Sequence, residues 1–356
     1  MQEAETQGVT SLAYSHFSKI IDKEIIPQKY FNTFRQRYIG TIGRNMLIFN
    51  ELDKLLPLLG ENGIEPIVLK GPALIATVFN DWGKRGMCDL DLLFKTDELQ
   101  KVANILFENG YQIHSSNGAL YDVDFGESHH LGGLVNPKTG VHLELHWTIQ
   151  GNGRVFNINI DEMRQRTIDA QFREYRFKIF SPEDQLLHLF VHHCYHHFRQ
   201  LNYRLLLDIY ATLKQFENQL NWDEFLERCN RFKLLHPVYV GINEIRRLWN
   251  LPIPVEISNK IQVSVNQSQI AWYQLDSETA KSIIGKLVLI EGLSGKIQYI
   301  FRRIFPSRAN IIRRYALVES SKIWWGYYFL RPFLLVKDHS LNYLKLIFNT
   351  FRSRFS

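Results

Sequence analysis

The chain is poor in cysteine, and the three it has, Cys88, Cys194 and Cys229, lie far apart without CxxC spacing. An odd number with no close pair argues against a disulfide framework and a thiolate zinc site, and fits a reducing cytoplasm. Long apolar runs are also missing. The longest, Ile323 to Leu330, stops at Arg331-Pro332 and is too short to span a bilayer. The first residues, Met1-Gln2-Glu3-Ala4-Glu5, are acidic and polar where a secretory signal would be basic and then apolar. No low-complexity tract and no internal repeat interrupts the 356 residues, of which 45% are apolar and 22% charged. That mixture suits an ordered protein of two domains, or of one core with helical additions.

The net charge of +6 is unevenly spread. From Phe301 to Ser356 eleven basic residues stand against two acids, a local net of +9. Trp324, Trp325, Tyr327, Tyr328, Phe329, Phe333, Phe348, Phe351 and Phe355 are interleaved with them. Such mixtures meet phosphates or anionic lipid headgroups. They also occur in helical pairs that pack their aromatics on the main body and solvate their arginines.

Periodicity sets out the rest. Apolar residues recur at three- and four-residue steps from Thr10 to about Leu59, so this stretch is helical, with a break near Pro27. After the turn Gly60-Glu61-Asn62-Gly63, residues Glu65–Leu69 form a short buried strand, and Pro72 suits the first turn of a helix from Ala73 to Phe79. A helix from Asp97 to Glu108, closed by Gly110, and a strand at Tyr111–His114 follow. Asn136-Pro137-Lys138-Thr139-Gly140 is a hairpin turn between Leu131–Val135 and Val141–Trp147. From Ser181-Pro182 onward the pattern is helical, with one or two long helices between Gln185 and Leu213. The expected division is an N-terminal helical segment (1–60), an α/β core (61–180), a helical domain (181–300) and a basic aromatic helical segment (301–356).

The chemistry concentrates in Cys88-Asp89-Leu90-Asp91-Leu92-Leu93-Phe94. On a strand alternate side chains share a face, which puts Asp89 and Asp91 side by side, about 7 Å apart at their α-carbons. Adjacent carboxylates repel, and at the edge of a core such a pair usually brings a divalent cation. Glu144, in Val141-His142-Leu143-Glu144-Leu145-His146-Trp147, is a third acid on a strand-like segment. Three acids on neighbouring strands make a cage for magnesium and phosphate chemistry. Lys70-Gly71-Pro72 precedes them. Amides of that turn would point at an anion and Lys70 would add charge, although a strand-to-helix turn also uses Gly for its backbone geometry alone. Arg85, just before the acid strand, is a candidate phosphate partner or a surface arginine in a polar loop.

His188, His192 and His196 are four apart on one helical face, with His193 and His197 beside them. His192 and His196 could ligate zinc, but no acid lies between them and the HExxH pattern is absent. They could also offer nitrogens to phosphates at the mouth of a site, or be structural. Asp208 could orient one of them or pair with Arg204 four residues earlier.

The order Val68-Leu69-Lys70-Gly71-Pro72, Arg85-Gly86-Met87-Cys88-Asp89-Leu90-Asp91, Leu143-Glu144-Leu145-His146-Trp147 and His192-His193-Cys194-Tyr195-His196 resembles a bacterial group of uncharacterised nucleotidyltransferases within the DNA polymerase β-like superfamily. The resemblance covers roughly residues 64–210. It departs from the superfamily in offering Lys-Gly-Pro for the usual Gly-Ser turn, and a glutamate as third acid where aspartate is common. The resemblance implies an α+β fold, with a small mixed-sheet core and large helical additions. It implies Asp89, Asp91 and Glu144 as catalytic metal ligands for two Mg²⁺ ions, and Lys70, Gly71, Arg85, His192 and His196 as nucleotide- or phosphate-binding residues. The implied reaction moves a nucleoside monophosphate from ATP or another NTP to an acceptor that the sequence does not specify. No RRM, KH or zinc-finger signature selects nucleic acid. Two rival readings differ in class. One is a non-catalytic nucleotide- or anion-binding module that docks on a membrane or an anionic partner through 301–356, which would make a cytoplasmic protein peripheral to the membrane. The other is a histidine-based zinc hydrolase.

Overall fold

The computed structural model describes residues 2–19, 26–114, 128–150, 155–197, 202–251, 253–275, 283–306, 308, 311–312, 323–331 and 333–334. A seven-stranded mixed sheet lies at the centre, in the order β3-β4-β5-β2-β1-β7-β6. Its strands are β1 (Ile67–Val68), β2 (Asp89–Leu93), β3 (Gln112–Ile113), β4 (Leu134–Asn136), β5 (Val141–His146), β6 (Ile168–Phe172) and β7 (Tyr175–Ile179). The architecture is the α+β arrangement expected from the sequence. The turn at 137–140 does join an antiparallel pair, β4 and β5, with Gly140 in the left-handed region at φ 65.

Helices α1 (Gln2–Thr6), α2 (Thr10–Phe17) and α3 (Gln28–Gly60) precede the sheet. On α3, Ile48, Phe49, Leu52, Leu55 and Leu59 recur at helical steps and pack with Val68, Leu90, Leu92, Leu143 and Leu145 on one side of the sheet. Helix α5 (Leu99–Glu108) closes that core through Val102 and Leu106. The other side carries Ile67, Leu69 and Leu93 into a second core. Its helices are α7 (Pro182–Val191), α8 (Tyr203–Gln215), α9 (Trp222–Arg231) and α10 (Leu235–Leu248). Because the side-chain period of a strand is two, the residues of β2 alternate between these cores.

Several boundaries differ from the sequence expectation. The helix after β1, α4 (Lys70–Leu74), begins at Lys70 rather than Ala73, and runs on as a π-helical turn over Ile75–Phe79. A short helix α6 (Ile160–Gln165) precedes the β6–β7 hairpin, which the sequence reading did not place. Helix α7 gives way at His192–His196 to a second π turn, which alters the four-residue spacing of the histidines. Ser181 caps α7 by accepting from the Asp184 amide, with Pro182 in the first turn. Among the described residues no helix is long and apolar enough to cross a membrane.

Candidate active site

The site is built on the central strand pair. Strands β2 and β5 run parallel, with Asp91 beside Glu144 and Leu93 beside His146 in register. Leucines 90, 92, 143 and 145 are buried on one face and fix that register, since a slip of one residue would turn them outward. The opposite face therefore presents Asp89, Asp91, Glu144 and His146 together.

One oxygen of Asp91 is the focus. Lys70 Nζ donates to Asp91 Oδ1 at 2.8 Å, and His146 Nε2 donates to the same oxygen at 2.8 Å. His146 Nε2 also lies 3.2 Å from Glu144 Oε2, and Lys70 Nζ lies 3.9 Å from it. Asp91 and His146 are each 1% exposed. Burial alone would raise the Asp91 carboxyl, but the Lys70 ammonium and the His146 hydrogen bond hold it well below its ordinary range. Glu144 is lowered in the same way, the His146 hydrogen bond outweighing burial. Lys70 and His146 are raised, since neighbouring carboxylates outweigh their desolvation. Asp89 takes the opposite direction. Burial and the charge of Asp91 push its carboxyl up to about 6.

The turn that delivers Lys70 has an unexpected geometry. Its left-handed residue is Lys70 itself, at φ 48, not Gly71. Gly71 is closely packed: a Cβ there would stand 2.5 Å from Met87 Sδ and 3.2 Å from an Arg85 nitrogen, so the Met87 side chain would have to shift. The loop before β2 is clamped from α3 by Asn45, which donates to the carbonyls of Trp82 (2.7 Å) and Arg85 (2.8 Å) and accepts from the Met87 amide (3.2 Å).

Around these groups lies a cleft of about 420 Å³ lined by Lys70, Gly71, Arg85, Asp89, Asp91, Glu144, His192 and His196. All eight site residues expected from the sequence thus border one cavity. Their roles are not alike, however. Arg85 is buried and bidentate to Asp208 of α8, at 2.9 and 3.0 Å, so its guanidinium is committed within the fold. Asp208 also lies 3.4 Å from His193, and does not pair with Arg204 as the four-residue spacing allowed. Arg204 lines the cleft as well, and among the described residues it forms no ion pair. His192 is held well below the ordinary imidazole range by burial and His196 is lowered to about 3, so both are neutral. His196 stacks on His129 at 5.0 Å.

Among the described residues the one set of three or more potential ligands close enough to share an ion is Asp91, Glu144 and His146, all within 4.8 Å. Among the described residues the histidines between His188 and His197 form no such set. The donor chemistry fits a divalent cation, two converging carboxylates and a buried imidazole; Asp89, expected as a ligand, lies outside that set, its carboxyl raised by burial and then by the Asp91 charge. Sequence reasoning missed His146, although it stands two residues beyond Glu144 and so on the same face. It also missed His129, His130 and Arg204 as cleft residues.

Residues 1–250 match the model of a family described as uncharacterised nucleotidyltransferase. The chain belongs to this family. No curated protein matches it. Two solved structures share loose likeness. One is ANT(2")-Ia in complex with adenylyl-2"-tobramycin, at 10% identity and TM-score 0.36, covering 52% of this chain and 97% of that one. The other is the lincosamide antibiotic adenylyltransferase LnuA, lincomycin-bound, at 18% identity and TM-score 0.31, covering 46% and 94%.

Proposed function

We propose that this nucleotidyltransferase moves a nucleoside monophosphate from an NTP, with ATP the first candidate, to a nucleophilic acceptor, and that Asp89, Asp91 and Glu144 hold the divalent metal. The observation that carries this reading is the pairing of Asp91 with Glu144 across β2 and β5, beside Asp89, in a cleft that also contains Lys70. Bound to these carboxylates, magnesium, with two ions expected, would offset triphosphate charge and lower the pKa of the acceptor hydroxyl. The acceptor hydroxyl releases its proton to solvent, and its oxygen bonds to the α-phosphorus as the bond to the departing pyrophosphate breaks.

The chain's own residues set the stage for this displacement. Lys70 is the internal counter-ion of the carboxylates, and becomes the nearest ammonium for phosphate oxygens once a metal takes over that charge. Arg204 supplies the second cation, because Arg85 is engaged by Asp208. His192 and His196, being neutral, contribute hydrogen bonds at the mouth rather than charge. His146 orients Asp91 and Glu144 by bonding both. The rigid Leu-packed strands hold the constellation in place, as an in-line displacement requires.

The test uses ATP labelled at the α- or the γ-phosphorus, magnesium, and small-molecule and protein fractions of a cell extract as acceptors. Transfer of the α-label alone, with release of pyrophosphate and loss on chelation, is expected. Transfer of the γ-label would contradict the proposal. Triphosphate binding without pyrophosphate release would favour the non-catalytic module instead. Membrane contact by 301–356 is a separate proposal, since it rests on different residues.

A further inference from the structure

The helix Leu293–Ile304 wears its apolar stripe on the outside. Leu293, Ile297 and Phe301 are 74%, 57% and 60% exposed, and Ile300 joins them at 39%. Steps of three and four residues place all four on one face of the helix, away from Tyr299, which is buried. A second stripe repeats the pattern. Trp325, Phe329 and Phe333 recur every four residues with exposures of 57%, 70% and 75%, and Ile323 and Leu330 add to it. The two stripes belong to one surface. Tyr328 Oη donates to the Pro306 carbonyl at 2.8 Å, and the Phe305 ring stands 5.7 Å from that of Tyr328 and 4.7 Å from that of Phe301. Ile311 is fully buried.

A globular protein rarely leaves so many large apolar side chains in water on adjoining elements. The charge of this stretch of sequence says what covers them. From residue 292 to residue 334 the sequence holds eight basic residues and a single acid, Glu319. Arg302 and Arg308 are exposed beside the stripes, and the Arg308 guanidinium lies 5.9 Å from the Trp324 ring centroid. A second copy of this face would bring like charges together over the same surface, which opposes self-association. An apolar protein partner would offer no counter-charge to the exposed Arg302. Phe, Trp and Ile flanked by Arg and Lys match an interface of acyl chains beneath anionic headgroups.

We propose that this surface docks on an anionic lipid bilayer, lying in the headgroup region without crossing it. Phe301, Phe329, Phe333 and Trp325 enter the apolar boundary, and Arg302 and Arg308 pair with headgroup phosphates. The family match ends at residue 250, so the lipid-binding surface lies beyond the segment that defines the family.

The experiment is co-sedimentation of the full chain with vesicles of phosphatidylcholine alone or with about 40% phosphatidylglycerol. Binding should rise on the order of tenfold with the anionic lipid and fall as salt is raised. Phe301→Ser with Phe329→Ser should lower vesicle affinity on the order of tenfold, and Arg302→Gln with Arg308→Gln several-fold on anionic vesicles. All four side chains are exposed, so both variants should keep the wild-type melting temperature, which is measured alongside. Binding that ignores lipid charge, or that survives the double phenylalanine variant, would overturn the proposal. So would a stable dimer, seen by light scattering, that the phenylalanine variant dissociates. None of these outcomes depends on transfer activity, so the docking surface and the proposed chemistry can fail separately.

Discussion

The two faces of the β2–β5 pair, built from the same two strands, are treated in opposite ways. One presents Leu90, Leu92, Leu143 and Leu145 to α3 and α5, each at most 1% exposed. The other presents Asp89, Asp91 and Glu144 to the cleft, with His146 buried beside them. Burial of leucines stabilises the fold; on the other face Lys70 and His146 more than offset the burial of Asp91 and Glu144, and the cost falls on Asp89, whose carboxyl is raised by burial and by the Asp91 charge. The lesson is one of division: the apolar face fixes the register, and the register then places acids where they would not otherwise settle. Even on the polar side the division continues, since Asp208 neutralises a structural arginine and Asp91 faces the cleft.

The strongest way to break this comparison is Asp208→Asn, which leaves the buried Arg85 guanidinium without its counter-charge. A loss of about 4 kcal/mol in urea unfolding is expected, partly restored by Arg85→Met in the same chain. Next, Leu143→Ala should cost about 3 kcal/mol by opening a cavity on the apolar face. Transfer per folded molecule should change little. If it collapsed while stability held, the two faces would not be separable.

Asp89 sharpens the contrast through pH. Its carboxyl is raised to about 6, so the folded state holds a proton that the unfolded chain releases near pH 4. Its contribution is therefore fully favourable below pH 4 and is lost as pH climbs through 6. Asp89→Asn should stabilise the metal-free protein by about 2 kcal/mol at pH 8 and have no effect at pH 4, as read from thermal melts. The smallest effect concerns Lys70. Replacing it by Met removes a competitor for the carboxylates, so Mn²⁺ affinity in the absence of nucleotide should rise about tenfold in a paramagnetic titration. Unchanged affinity would mean that Lys70 does not compete for the ion.

Much of the cleft was legible because it is local. The Asp-x-Asp spacing, the hairpin at 137–140 and the alternation of leucines with acids are short-range signals that a period of two makes readable. The β6–β7 hairpin was not, since its two-residue turn is Arg173-Glu174, with Arg173 itself at φ 57 and no Gly or Asn to mark it. The partner of Arg85 lies 123 positions away, beyond any local pattern. The histidine spacing suggested a continuous helical face, but His192–His196 form a π turn: His192, His193 and His196 all line the cleft, and His193 also meets Asp208. Gly71 was visible as a turn glycine, but its close neighbour, the Met87 side chain, is known only from the folded chain.

The proposed chemistry requires that the cleft carboxylates grip a cation. Crystals soaked with Mn²⁺ and a non-hydrolysable triphosphate, measured at the manganese edge, give the direct answer. An anomalous peak coordinated by Asp91 and Glu144, with Lys70 Nζ moved from Asp91 toward phosphate oxygens, is the predicted result. A cleft without manganese, in which Lys70 still donates to Asp91 while the triphosphate binds elsewhere, would contradict it.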